Sequence, residues 1–109
     1  MLSLAIQCQP ERIGGYDVDP RLELLADVAR SHSSVQEVDV SSGVDNGAYI
    51  NIIVSTNDVV ALWSELRDVI ANDRLLRSCI IACCEGDNGW DDYLLLFHFD
   101  DTVPTDTLT

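Results

Sequence analysis

Lysine is absent from this 109-residue chain, and arginine supplies all six of its basic side chains against nineteen aspartates and glutamates. The resulting formal charge of −13 repels polyanions, whose phosphates recruit lysine and arginine, so no direct contact with nucleic acid or with anionic lipid headgroups is expected. Also missing is any run of about 18 apolar residues that would suggest a membrane span. The opening stretch MLSLAIQCQP has no basic residue before its short apolar segment, unlike a secretory leader. There is no Gly-rich phosphate cradle, no GxSxG nucleophile turn and no HExxH metal helix. No enzymatic activity is therefore expected.

What the chain does have is apolar content. Hydrophobic residues make up 47% of it, enough to build one core despite the charge. At this length a single domain is expected, here spanning 1–101 and followed by a short, acidic, flexible tail over 102–109. The four cysteines, Cys8, Cys79, Cys83 and Cys84, sit inside strand-like apolar runs. They read as reduced, buried thiols of a cytoplasmic protein.

LSLAIQC alternates Leu2, Leu4, Ile6 and Cys8 against Ser3, Ala5 and Gln7, the pattern of a half-buried strand. After a Pro- and Gly-containing link, Asp19-Pro20 reads as an N-cap and first-turn proline. Leu22, Leu25, Ala26 and Ala29 then follow at helical spacing, and the helix should end near Arg30–His32. In VQEVDV, Val38 and Val40 oppose Glu37 and Asp39, which predicts a strand with an acidic outer face. Asp45-Asn46-Gly47 predicts a tight hairpin into a third strand carrying Ile50, Ile52 and Val54. Ser55-x-x-Asp58 reads as a capping box before a second helix with the stripe Val59, Leu62, Trp63, Leu66, Val69 and Ile70. CIIACC and YLLLFHF close the chain as a second hairpin around another Asp-Asn-Gly.

The expected fold is α+β: a two-layer sandwich of ferredoxin-like βαββαβ order with an additional C-terminal strand, its antiparallel sheet carrying two helices on one face. Water should then meet the other face, yet simple alternation makes both sides of the last strand apolar. Tyr93, Leu95, Phe97 and Phe99 fall on one side, and Leu94, Leu96 and His98 on the other. A loop, the tail, a second copy of the chain or a partner should cover the second side.

The carboxylates of Glu85, Asp87, Asp91 and Asp92 are oxygen donors of the type Ca²⁺ or Mg²⁺ takes, but their spacing lacks the EF-hand core and its distal Glu. A solvated turn that keeps the neighbouring strand soluble explains them more simply. Cys79-x3-Cys83-Cys84 lacks the paired spacing of a zinc site, and adjacent strand residues point to opposite faces. No metal or cofactor is expected. Cys84 and His98 could face each other across the last hairpin, but the surrounding negative charge disfavours a thiolate.

Interaction remains. The net negative charge lies mainly in two segments, with three acids and no base over residues 35–56 and seven acids and no base over 78–109. Trp90-Asp91-Asp92-Tyr93 sets rings among carboxylates, the composition of a surface that buries aromatics while steering a basic partner. The expected partner-binding residues are Glu37, Asp39 and Asp45 of the first hairpin and Glu85, Asp87, Trp90, Asp91, Asp92 and Tyr93 of the second. In size, charge and cysteine state the chain is similar to toxin-neutralising immunity proteins and to phage-encoded inhibitors of nucleic-acid-guided defence, the anti-CRISPR type. That likeness implies a non-enzymatic inhibitor of a basic, nucleic-acid-handling protein. Competing readings are a dimeric ferredoxin-like ligand-binding or catalytic domain, and a structural subunit of a larger assembly.

Overall fold

The computed structural model describes residues 2–14, 17–45, 47–71, 73–84 and 93–107. Five strands and two helices follow in the order β1 (Leu2–Cys8), α1 (Asp19–Ser31), β2 (Val35–Val44), β3 (Ala48–Thr56), α2 (Val59–Ile70), β4 (Cys79–Cys84) and β5 (Tyr93–His98). Short 3-10 turns follow β1 (Pro10–Arg12) and α2 (Arg74–Ser78). The strands form one antiparallel sheet in the order β2-β3-β1-β4-β5. The α+β class is as the sequence predicts; the five-stranded order differs from the four-stranded ferredoxin-like one.

Alternation in the strands decides what the helices cover. Leu4 and Ile6 of β1 lie between Val54 and Ile52 of β3 on one side and Cys83 and Ile81 of β4 on the other. All six are essentially inaccessible. Leu22, Leu25, Ala26 and Ala29 of α1 and Val59, Leu62, Trp63, Leu66 and Ile70 of α2 join them in one apolar cluster. That i, i+3, i+4, i+7 spacing in α1 gives the helix a single buried stripe.

Helix starts differ in detail from the sequence reading. The N-cap of α1 is Val18, with no side-chain cap; Asp17 instead accepts from the Asp19 N–H at 3.2 Å, and Asp19 lies in the first turn. On α2 the cap is Asp58 alone, whose Oδ1 accepts from the Ala61 N–H at 3.2 Å. Ser55 is not the cap because its side chain belongs to the opposite sheet face from Val54 and Thr56. Beyond α2, Asp73 caps the second 3-10 turn by accepting from the Leu75 N–H at 2.9 Å, and Leu75 is fully buried. Arg21 of α1 donates through Nε to the other oxygen of that carboxylate at 2.6 Å, tying α1 to the turn.

A second correction concerns β5. The pairing Ile81↔Phe97 and Ala82↔Leu95 leaves Leu96 as an extra residue, a β-bulge. Past it the alternation reverses. Leu94, Leu96 and Phe97 all pack against the core, whereas Tyr93, Leu95 and His98 turn to the other face. The strand that reads as apolar on both sides thus sends its largest apolar groups inward by changing phase.

A candidate protein-docking face

The face opposite the helices carries no helix among the described residues. Register sets its side chains in transverse rows. One row reads Asp39, Ile53, Ala5, Ala82 and Leu95, one residue from each strand. Its neighbours read Ser41, Asn51, Gln7, Ile80, His98 and Glu37, Ser55, Ser3, Cys84, Tyr93. Each row runs from a polar or acidic end at β2 to a larger apolar or aromatic group at the β4–β5 side, and the Asp39 row is lowest at Ala5 and Ala82.

Two connected depressions follow from that arrangement. An apolar trough of about 510 Å³ is lined by Ala5, Ile53, Ile80, Ala82, Leu95 and Val103, with Tyr93 and His98 at its margin. The trough exists because Ala5 and Ala82 leave the middle of the row low between larger side chains. A polar cleft of about 650 Å³ adjoins it, sharing Gln7 and Asn51 and adding Gln9, Glu11, Arg12, Asp45 and Tyr49. Gly47 lies in the turn beside it at φ 126°, a conformation that L side chains rarely adopt.

The chain after β5 shapes the far side. Asp100 accepts from the Thr102 N–H at 3.0 Å and from its hydroxyl at 2.7 Å. The hydroxyl bond first, and then the backbone bond, hold the Asp100 carboxyl below its ordinary range. His98 Nδ1 accepts from the Asp100 N–H at 3.0 Å, which leaves Nε2 to carry the proton of the neutral ring. The turn brings Val103 back to line the trough beside Leu95 and His98.

Of the expected partner-binding residues, Glu37, Asp39 and Asp45 are exposed. The first two sit on the open face in register and the third lines the polar cleft. Tyr93 is 52% exposed on the same face. Glu85, Asp87, Trp90, Asp91 and Asp92 lie outside the described residues. Ile53 and Leu95 share a face with Asp39 through strand register, and Glu11 reaches the polar cleft from the turn after β1; none of the three is among the partner-binding residues expected from the sequence. Arg12 is the single arginine lining either depression. Its guanidinium stacks 3.9 Å over the Phe99 ring, a cation–π contact. Arg21 and Arg30 are engaged by Asp73 and Asp27.

Two other constellations have ordinary roles. Cys84 lies opposite Tyr93, and His98 opposite Ile80, so the Cys84 and His98 pairing considered from the sequence does not form. On the helix side, Ser34 Oγ lies 2.7 Å from both His32 Nδ1 and Thr56 Oγ1, while His32 Nε2 is 3.4 Å from Glu65. The order Ser, His, Glu resembles a hydrolytic triad, but the Ser34 hydroxyl is buried and shared with Thr56. It ties the end of α1 to the start of α2 and offers no exposed nucleophile. Among the described residues, no three His, Cys, Asp or Glu side chains converge as metal ligands would.

No family model, curated protein or solved structure matches the chain.

Proposed function

We propose that this protein is a non-enzymatic inhibitor that docks its open sheet face on a basic protein surface, one that otherwise handles nucleic acid. The observation that carries this reading is the row Asp39, Ile53, Ala5, Ala82, Leu95: an apolar floor with carboxylates at its β2 margin. Apolar burial at the floor supplies adhesion, and the surrounding negative field accelerates encounter with a cationic partner. The same field repels the partner's own polyanionic substrate, so a bound inhibitor both covers the site and disfavours re-entry. An immunity protein or an anti-CRISPR-like protein would act this way.

Association with a second copy is the competing use of an apolar sheet face. Here it would bring together two chains of −13 each, which favours a foreign cationic partner. We also read the architecture as a ferredoxin-like split βαβ sandwich with β5 added at one edge. Support comes from the two helical crossovers, β1 to β2 and β3 to β4, each of which passes over one intervening strand.

The test is retention of basic proteins by the immobilised chain at low and high salt, with Glu37→Lys/Asp39→Lys as the control. Expected is a basic partner held by the native chain, released by salt, and bound at least about tenfold more weakly by the variant. Equal retention by both chains, or none by either, contradicts the reading.

A further inference from the structure

The two edges of the sheet are finished differently. On β5 the chain returns so that the Asp106 N–H donates to the Leu95 carbonyl at 2.7 Å and the Asp106 carboxylate accepts from the Leu95 N–H at 2.8 Å. Both outward peptide groups of Leu95 are thereby used. On β2, apart from the ladder to β3, no described residue hydrogen-bonds to the peptide groups of 36–44. This edge strand is 10 residues long and contains neither the proline nor the lysine with which edges are commonly blunted. Its bulge falls between Val35 and Glu37, and pairing to β3 is regular from Glu37 to Val44. Val40 and Val44 are 48% and 82% exposed.

We propose that β2 is an acceptor edge for strand addition, and that its occupant is an extended segment of the basic partner with alternating cationic and apolar side chains. This rests on the basic-partner reading above and adds the mode of engagement. Alternation on β2 specifies the occupant. Glu37 and Asp39 point to the open face, whereas Val38, Val40 and Val44 point to the helix side. A neighbouring strand places its side chains about 4.5–5.5 Å from these positions. Lysine or arginine at every second position then meets Glu37 and Asp39, and the intervening apolar residues extend the valine strip. Main-chain bonds along the edge supply affinity, and the alternating side chains supply selectivity.

A second copy fits less well. A β2 to β2 junction about a two-fold axis normal to the sheet keeps both open faces on one side. It therefore gathers Glu37 and Asp39 of both chains on a single surface with no base among them, and like charges across a strand pair are destabilising.

The test uses synthetic peptides matched to β2 in length: one alternating lysine and valine, one of the same composition with the lysines and valines in two blocks, and the alternating peptide N-methylated at every second residue. Isotope-labelled protein is titrated with each, and amide exchange is followed along β2. Strand addition predicts that the alternating peptide slows exchange at β2 amides, and that N-methylation weakens its binding by at least about tenfold through lost main-chain bonds. Glu37→Lys/Asp39→Lys should weaken it as well. Binding of the blocked or N-methylated peptide as tightly as the alternating one overturns strand addition while leaving the basic-partner reading intact. Failure of every cationic peptide to bind in low salt overturns strand addition, while the basic-partner reading is judged separately by the retention of basic proteins. Protection of β2 in peptide-free protein that rises with its own concentration identifies a second copy as the occupant and contradicts the proposal.

Discussion

Asp106 closes the β5 edge at Leu95 with two hydrogen bonds, one from its backbone N–H and one to its carboxylate. Replacing it with alanine removes the side-chain acceptor and leaves the backbone bond available. The expected result for Asp106→Ala is faster amide exchange at Leu95, with global stability lowered by about 1 kcal/mol or less. Exchange measured residue by residue checks this, and an unchanged Leu95 amide contradicts the edge-closing role.

Thr56 is fully buried, with its hydroxyl 2.7 Å from Ser34 Oγ and accepting from the Asp58 N–H at 3.1 Å. Valine has the same shape and neither hydrogen-bonding capacity, so it strands buried polar partners. Thr56→Val should lose about 1–3 kcal/mol in urea unfolding. A neutral result contradicts the view that this hydroxyl chain fastens β3 to the start of α2.

Gly43 faces Tyr49 across the β2–β3 pair, and a Cβ placed on Gly43 would fall on the phenol ring. Alanine in a strand ordinarily gains about 0.5–1 kcal/mol over glycine. Gly43→Ala should instead destabilise the native chain and recover the ordinary gain in a Tyr49→Ala background. Thermal melts of the four chains in this cycle measure the coupling.

Cys8 and Cys79 are paired across β1 and β4, and Cys8 Sγ lies 3.3 Å from Ser78 Oγ. Hydrogen bonding from Cys79, and secondarily from Ser78, lowers the Cys8 thiol from 9.0 to about 7 against the opposing effect of burial. The Cys79 thiol is raised, first by its bond to Cys8 and then by burial. A lowered acid group stabilises the fold fully above its unfolded value, and that contribution is lost as pH falls through the folded value. Stability from Cys8 should therefore rise between about 7 and 9.0. Above that window Cys79, whose folded value is raised, acts in the opposite direction. Unfolding free energies across this range should be flatter for Cys8→Ala than for the native chain; parallel curves contradict the assignment.

Side-chain period alone makes much of the fold legible. The alternation of Leu4, Ile6 and Cys8 and the helical stripes from Leu22 and Val59 fix which residues meet in the core, because burial selects one face of each element. The open face is less legible, because it depends on register between strands remote in sequence. Nothing local places Asp39 beside Ile53, or Ala82 beside Leu95. The Leu96 bulge is a further case: strict alternation assigns Phe97 to the wrong side, and only the pairing with Ile81 restores it. The caps differ by a residue or more from those the sequence predicts because Asp17, Asp19, Ser55 and Asp58 all have the chemistry of a cap, and backbone geometry selects among them.

Methyl NMR of the protein bound to its captured basic partner tests the central claim most directly. Docking on the open face predicts that the methyl resonances of Ala5, Ile53, Ala82, Leu95 and Val103 shift on binding, while those of Leu24 and Val60, exposed on the helices, stay in place. Shifts confined to Leu24, Val60 and their helical neighbours would contradict it.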